Sequence, residues 1–162
     1  MIAGLLIFLS LIPFYLLGAM PVGVLIARRS GVDITACGSG NVGAANVARV
    51  LGRKAGALTL LGDVSKGLLA VAIGMLCTSA SYYASLTGLA AVAGHCFSIP
   101  GKLKGGRGVA TTLGAALLLS PASAFLGLVV YGIAIWLFRI PSLASLCASL
   151  LAPLFSFFSG DS

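Results

Sequence analysis

The sequence predicts an all-α fold: a polytopic integral membrane helical bundle of about six transmembrane segments, with two cytoplasmic Gly-rich basic loops. Three observations predict it. Hydrophobic residues make up 59% of the chain and charged ones only 8%, and the mean hydropathy of +1.14 excludes an ordinary soluble domain. Apolar runs of roughly 17–25 residues, the length that crosses a bilayer, recur along the chain. The cations are gathered rather than scattered: Arg28, Arg29, Arg49, Arg53 and Lys54 lie in one polar stretch, and Lys102, Lys104 and Arg107 in another. The 162 residues are read as a single integral membrane domain, 1–162, with no separate soluble one.

The first segment runs from about Ile2 to Ala27, bent at Pro13 and Pro21 and closed by Arg28-Arg29. It is too long for a signal peptide and lacks a basic leader, so it is expected to be retained. The second spans about Ala55 to Thr78 and the third about Tyr82 to Ile99. One helix from Val109 to Phe138 would measure ~45 Å, too long for a ~30 Å hydrocarbon core. The chain is therefore split at Pro121, which leaves a short first half, Val109 to Ser120, of ~18 Å. A last segment runs from about Ser142 to Phe158. The loops near Ser79-Ser81 and Ser120-Pro121 carry no charge. The positive-inside rule then places both basic loops in the cytoplasm and the N-terminus outside.

The first basic loop contains Gly38-Ser-Gly-Asn-Val-Gly43, which matches G-x-G-x-x-G. No strand precedes it, so the dinucleotide reading fails. Its physical content survives. Gly38, Gly40 and Gly43 allow positive φ and turn backbone N–H groups toward an anion. Asn46, Arg49 and Arg53 recur at helical spacing opposite Val47, Val50 and Leu51, an amphipathic helix whose N-terminus opens on the loop. Loop amides, Ser39, Asn41, Asn46 and a guanidinium together suit a phosphate group. The bland alternative is a loop whose cations only set topology.

The second loop repeats the logic. Lys102, Lys104, Gly105, Gly106, Arg107 and Gly108 precede the short segment at Val109, with Thr111 and Thr112 in its first turn. Asp63 and Lys66 sit deep in the second segment, where an i, i+3 pair on one face neutralises both charges. Either the pair only locks the bundle, or Lys66 also reaches the substrate pocket. His95, the sole histidine, is either a general base or a helix-end residue that orients the second loop. Ser39 suits an alcohol donor or phosphate ligand better than a nucleophile, since His95 is remote in sequence. Ser142, just after Arg139, is a further candidate for the same site.

Cys37, Cys77, Cys96 and Cys147 form no C-x-x-C pair, so neither a metal site nor a disulfide framework is expected. No cofactor is implied. The net charge of +7 in so apolar a chain points to membrane lipids and phosphates, not nucleic acid. Oligomeric state is not readable.

These residues resemble the bacterial acyl-phosphate-dependent glycerol-3-phosphate acyltransferases, the PlsY family. Gly38 through Gly52 looks like the family's first signature, Gly62-Asp63-Val64-Ser65-Lys66-Gly67 like its G-D-x-x-K-G segment, and Gly94-His95 through Thr111 like its second signature. Arg139 and Ser142 fall where the family has a basic-plus-Ser element. Departures are Ala45 for Thr, Arg107 for Lys, and Ser98 and Gly101 for Pro and a bulky apolar residue. The C-terminus is shorter than usual for the family, without its His-Arg-x-Asn-Ile element. The His-x-x-x-x-Asp motif of other glycerophosphate acyltransferases is absent, since the fifth residue after His95 is Pro100. The resemblance implies an enzyme of the bacterial cytoplasmic membrane. It would transfer a fatty acyl group from acyl phosphate to the 1-hydroxyl of glycerol 3-phosphate, giving lysophosphatidic acid. Ser39, Arg49, His95 and Lys104 would be catalytic, with the loop glycines, Asn41, Asn46, Lys66, Lys102, Arg107, Thr111 and Ser142 binding the substrate phosphates. A rival class is an organic-phosphate transporter or lipid-binding membrane protein. Against it stand the lack of an internal repeat and the placement of both basic loops on one side.

Overall fold

The computed structural model describes residues 2–98 and 105–159, and every regular element among them is a helix. They fall into two compact units, Met1–Ala115 and Ala116–Ser162, with the boundary inside the short helix that starts at Val109.

In the first unit the opening segment is broken twice, into α1 (Ile2–Ser10), α2 (Ile12–Ala19) and α3 (Val22–Arg29). Pro13 occupies the first turn of α2, where a missing N–H removes no helical bond. Pro21 supplies no N–H to continue α2, and the chain restarts at Val22. A loop leads to α4 (Ala44–Leu51), and Gly52 then turns the chain into α5 (Arg53–Cys77). At φ +90°, Gly52 holds a conformation that a side chain rarely adopts. This break corrects one expectation: Arg53 opens the next helix and does not extend the face that carries Arg49. Helix α6 covers Ser81–Phe97 and α7 Val109–Leu119. By length and composition, Gly4–Arg29, α5 and Pro121–Phe138 are long and apolar enough to cross a membrane, while Val109–Leu119 and Pro141–Ala152 are shorter apolar helices.

Glycines let these helices touch. A β-carbon at Gly18 would overlap the Ala91 carbonyl, and one at Gly94 would overlap the Tyr15 carbonyl, so α2 and α6 meet backbone to backbone. Gly67 and Gly114 do the same for α5 and α7, against the carbonyls of Thr111 and Val64. Lipid gives apolar side chains no reason to leave it, so close backbone packing is what holds membrane helices together. The core is accordingly small-residued, with Ala27, Ala70, Ala84 and Ala91 buried, while Leu5, Leu61, Leu76 and Leu89 face outward. A second cluster of Val24, Ala27, Ile34, Val42 and Val47 fixes the 30–43 loop between α3 and α4.

The second unit contains α8 (Pro121–Phe138) and α9 (Pro141–Ser159). Pro121 starts α8, as the split at that residue predicts, and Arg139 ends it in the left-handed region at φ 55°.

Candidate active site

The first loop is built around Asn46. Gly38 and Gly40 take φ of 59° and 69°, whereas Gly43 is extended at −77° and caps α4. Two of the three glycines, not all three, therefore use the left-handed region. Asn46 is buried at 3% exposure, which corrects its placement on an exposed face beside Arg49. Its Oδ1 accepts from the Ser39 N–H at 2.9 Å. Its Nδ2 donates among the carbonyls of Asn41 at 2.9 Å, Cys37 at 3.0 Å and Ile34 at 3.4 Å. An amide has two N–H groups, so this side chain is consumed in shaping the loop. Asn41 folds back likewise, its Oδ1 accepting from the Gly43 N–H at 3.2 Å. Ser39 and Arg49 remain exposed.

The second loop leans on the end of α6. Lys102 and Lys104 lie outside the described residues. The Gly106 N–H donates to the His95 carbonyl at 3.0 Å. A β-carbon at Gly105 would overlap the Cys96 carbonyl, and one at Gly106 would overlap His95 Nε2. Gly108, at φ 76°, turns the chain into α7. Arg107 is exposed, Thr111 is fully buried, and Thr111 Oγ1 has no hydrogen-bond partner among the described residues.

Between the loops lies a buried charged network. Lys66 Nζ is 2.7 Å from Asp63 Oδ1, with both side chains about one-twentieth exposed (5% and 4%). It also donates to the carbonyls of Met20 at 2.7 Å and Gly18 at 3.3 Å. These carbonyls sit at the Pro21 break, where α2 leaves its last acceptors without helical donors. His95 Nδ1 lies 3.3 Å from Lys66 Nζ and 3.6 Å from Asp63 Oδ1. An ion pair so far from water is tolerable only because further polar atoms share the charge.

A pocket opens onto this network. Gly18–Gly23 wall one side, Val42 of the first loop reaches it, and Asp63, Lys66, His95 and Ser98 complete the lining. Ser98 is buried and takes φ 49°. Its carbonyl accepts from the Tyr15 hydroxyl at 2.6 Å. Both signatures thus contribute to one concavity: the first through Val42, the second through His95, with the Asp63–Lys66 pair beneath.

The pattern has close counterparts. A family model described as glycerol-3-phosphate acyltransferase matches residues 8–161. The chain belongs to that family, the PlsY family. The glycerol-3-phosphate acyltransferase of Syntrophotalea carbinolica is 42% identical over 154 residues, covering 94% of this chain and 79% of the relative. That of Geobacter sulfurreducens is 46% identical over 141 residues, covering 87% and 73%. Among solved structures, the glycerol 3-phosphate form of the integral membrane enzyme PlsY superposes with a TM-score of 0.87 at 42% identity, covering 95% of this chain and 78% of that one. A lysophosphatidic acid form of PlsY superposes with a TM-score of 0.85.

In this PlsY-family chain, three features of the site lie outside the sequence reading. The closure of His95 onto Asp63 and Lys66 depends on the rotation of α6 against α5. The carbonyls of Gly18 and Met20 become partners only because α2 stops there. Tyr15 reaches Ser98 across eighty-three residues. The one available signal was Pro21 itself, since a proline deep in an apolar segment leaves carbonyls that need donors. Ser142 belongs to the second unit, in the first turn of α9.

Proposed function

We propose that this chain transfers a fatty acyl group from acyl phosphate to the 1-hydroxyl of glycerol 3-phosphate, yielding lysophosphatidic acid and phosphate, in a bacterial cytoplasmic membrane. The observation that carries the reading is the meeting of Val42 from the first signature with His95 and Ser98 from the second at one pocket over a buried Lys–Asp–His network. The family membership supports it, as do the relative's glycerol 3-phosphate and lysophosphatidic acid forms. Two basic loops answer the two phosphate groups that the substrates present. Ser39 and Arg49, both exposed, would hold one, while the Ser39, Gly40 and Gly43 N–H groups are spent on shaping the loop. Lys104, Arg107 and the Gly105–Gly108 loop would hold the other.

The hydroxyl oxygen attacks the acyl carbonyl carbon of the mixed anhydride. The bond from that carbon to the phosphate oxygen breaks, the electron pair leaves with phosphate, and a phosphate oxygen takes the hydroxyl proton. Acyl phosphate is already activated, so proximity and fixed positive charge carry the step without a covalent enzyme intermediate. Both basic loops face the cytoplasm in this reading.

The test uses purified protein in lipid vesicles with glycerol 3-phosphate and, in separate reactions, acyl phosphate, acyl-CoA or acyl carrier protein thioester. Lysophosphatidic acid from acyl phosphate alone is expected. Product from a thioester donor only would overturn the donor assignment. Binding of glycerol 3-phosphate without turnover would favour the non-enzymatic class.

A further inference from the structure

The chain leaves α6 through a backbone conformation that a side chain disfavours. Ser98 closes the helix with its N–H on the Gly94 carbonyl at 2.7 Å, and its backbone stands at φ 49° and ψ −142°. Among the described residues, only Ser98 and Arg139 combine a side chain with positive φ. Arg139, at ψ 20°, sits at the edge of the ordinary left-handed well. Ser98 lies far outside that well, where glycine alone goes freely, and such a residue persists only when its surroundings force it. Ser98 is also buried and lines the pocket beside His95. The second loop comes back to the same helix end, where the Gly106 N–H donates to the His95 carbonyl at 3.0 Å. The exit and the return of the loop thus hang on adjacent carbonyls of α6.

Two hydrogen bonds hold the turn. The bond to Gly94 continues the helical ladder and fixes the Ser98 N–H. The second comes from α2: the Tyr15 hydroxyl donates to the Ser98 carbonyl at 2.6 Å. A carbonyl oxygen swings with its residue's ψ, so this bond pins the unusual angle. The hydroxyl is itself firmly placed. Tyr15 is half-buried, and its own carbonyl is the group that a β-carbon at Gly94 would strike, so it sits where α2 and α6 meet backbone to backbone. We infer that Tyr15 is a positioning residue for the reaction: its hydroxyl holds Ser98 in a conformation suited to glycine, and so sets the pocket wall and the point where the second Gly-rich loop leaves α6. The consequence for turnover rests on the proposed function; the hold on Ser98 does not. Tyr83 offers a matched comparison. It too is half-buried and ties the opening segment to α6, its hydroxyl donating to Ser10 Oγ at 2.8 Å, but in the first turn of α6, at the end away from the pocket.

Acyl transfer from acyl phosphate to glycerol 3-phosphate in lipid vesicles tests this. Tyr15→Phe keeps the ring and removes only the hydroxyl. It should lower kcat/KM by about 3- to 10-fold, the worth of one neutral hydrogen bond. Tyr83→Phe loses an equivalent bond away from the pocket and should change kcat/KM by less than about twofold. Ser98→Gly reaches the same φ and ψ without strain. Tyr15→Phe added to Ser98→Gly should therefore cost less than about twofold relative to Ser98→Gly alone, whereas added to Ser98→Ala, which keeps the β-carbon, it should cost as much as in the wild type. A Tyr15→Phe chain with wild-type kcat/KM overturns the inference. So does an equal loss in Tyr83→Phe or on the Ser98→Gly background. If Tyr15→Phe alone does not fold, the pair of chains carrying Ser98→Gly decides: equal folding and turnover with and without Tyr15→Phe supports the hold, and a chain that still fails overturns it. Amide exchange in detergent reads the hold without turnover. Exchange at Gly106 should quicken in Tyr15→Phe and return toward the wild-type rate when Ser98→Gly is added; an unchanged rate in Tyr15→Phe overturns the inference. A wild-type chain that shows this exchange pattern but no acyl transfer would sink the functional reading and leave the hold on Ser98 standing.

Discussion

Lys66 Nζ donates to the backbone oxygen of Met20 at 2.7 Å, across forty-six residues of chain. The contact joins a charge buried in α5 to the gap that Pro21 makes between α2 and α3. A helix broken inside a bilayer exposes carbonyls that lipid cannot satisfy. Here the ammonium satisfies two of them while neutralising Asp63. Lys66→Met should therefore cost roughly 3–5 kcal/mol, because it strands a buried carboxylate and takes the side-chain donor from the Gly18 carbonyl, while the Met20 carbonyl keeps the Val22 N–H at 3.0 Å. Lys66→Met with Asp63→Leu should cost less than Lys66→Met alone, since no charge is left unpaired. Unfolding of the single and double variants in detergent, arranged as a double-mutant cycle, measures this. A loss under about 1 kcal/mol for Lys66→Met would mean that the pair is hydrated.

Packing through glycine gives a second expectation. Gly94→Ala would drive a methyl into the Tyr15 carbonyl, and Gly67→Ala into that of Thr111. Backbone cannot move aside as a side-chain rotamer does, so each should cost about 1–3 kcal/mol or more. Gly132, on α8, has nothing within 4 Å of its would-be β-carbon. Gly132→Ala should gain up to ~1 kcal/mol from helix propensity. Thermal unfolding of the three variants in one detergent separates the two behaviours. Equal effects at all three positions would mean that α2–α6 and α5–α7 are not in backbone contact.

The helices were readable because their boundaries are written in residue types. Pro13, Pro21 and Pro121 each mark a break that sterics enforce, whereas the break at Gly52, which glycine permits without enforcing, emerged only with its φ of +90°. The Asp63–Lys66 pair was readable because i, i+3 spacing on a helix fixes proximity without tertiary knowledge. What remained hidden needs the rotation of one helix against another, as in the approach of His95 to Lys66. Asn46 was misplaced for a different reason. A polar residue three before an arginine looks like a second ligand on the same face. It lies equally four before Val50, whose Cγ2 packs 3.2 Å from the would-be β-carbon of Gly38. The groups its amide meets there are the Ser39 N–H and the carbonyls of Ile34, Cys37 and Asn41, and not Arg49.

Asn46 supplies the third prediction. Asn46→Asp keeps the Oδ1 that accepts from Ser39 but replaces the donors with a carboxylate oxygen facing up to three carbonyls. Asn46→Ala leaves the same groups unpaired without added repulsion. Each unpaired buried group costs about 1–3 kcal/mol, and the carboxylate adds lone-pair repulsion on top. Asn46→Asp should therefore lower kcat/KM more than Asn46→Ala, with faster amide exchange at Ser39 in both. An Asn46→Asp variant with wild-type exchange and turnover would show that the loop does not depend on this side chain.

The last prediction concerns the two arginines that sequence spacing placed on one face. Arg49 lies in the last turn of α4, the helix whose N-terminus Gly43 caps and whose Asn46 shapes the Gly38–Gly43 loop. Arg53 starts α5 beyond Gly52, whose φ of +90° redirects the chain. A guanidinium that shares a rigid element with the loop keeps its position relative to it, and one past a break does not. Arg49→Ala should remove a charge-assisted phosphate contact worth roughly 1.5–3 kcal/mol, or about 10- to 150-fold in kcat/KM. Arg49→Lys should recover part of this, since it keeps the charge but loses the fork. Arg53→Ala should fall within about threefold of wild type, because an exposed cation that serves only topology contributes little to binding. Steady-state kinetics of the three variants with acyl phosphate and glycerol 3-phosphate decide the matter. Comparable losses at both positions would mean that the break at Gly52 does not separate their roles. The basic face would then act as one anion-binding surface across α4 and α5.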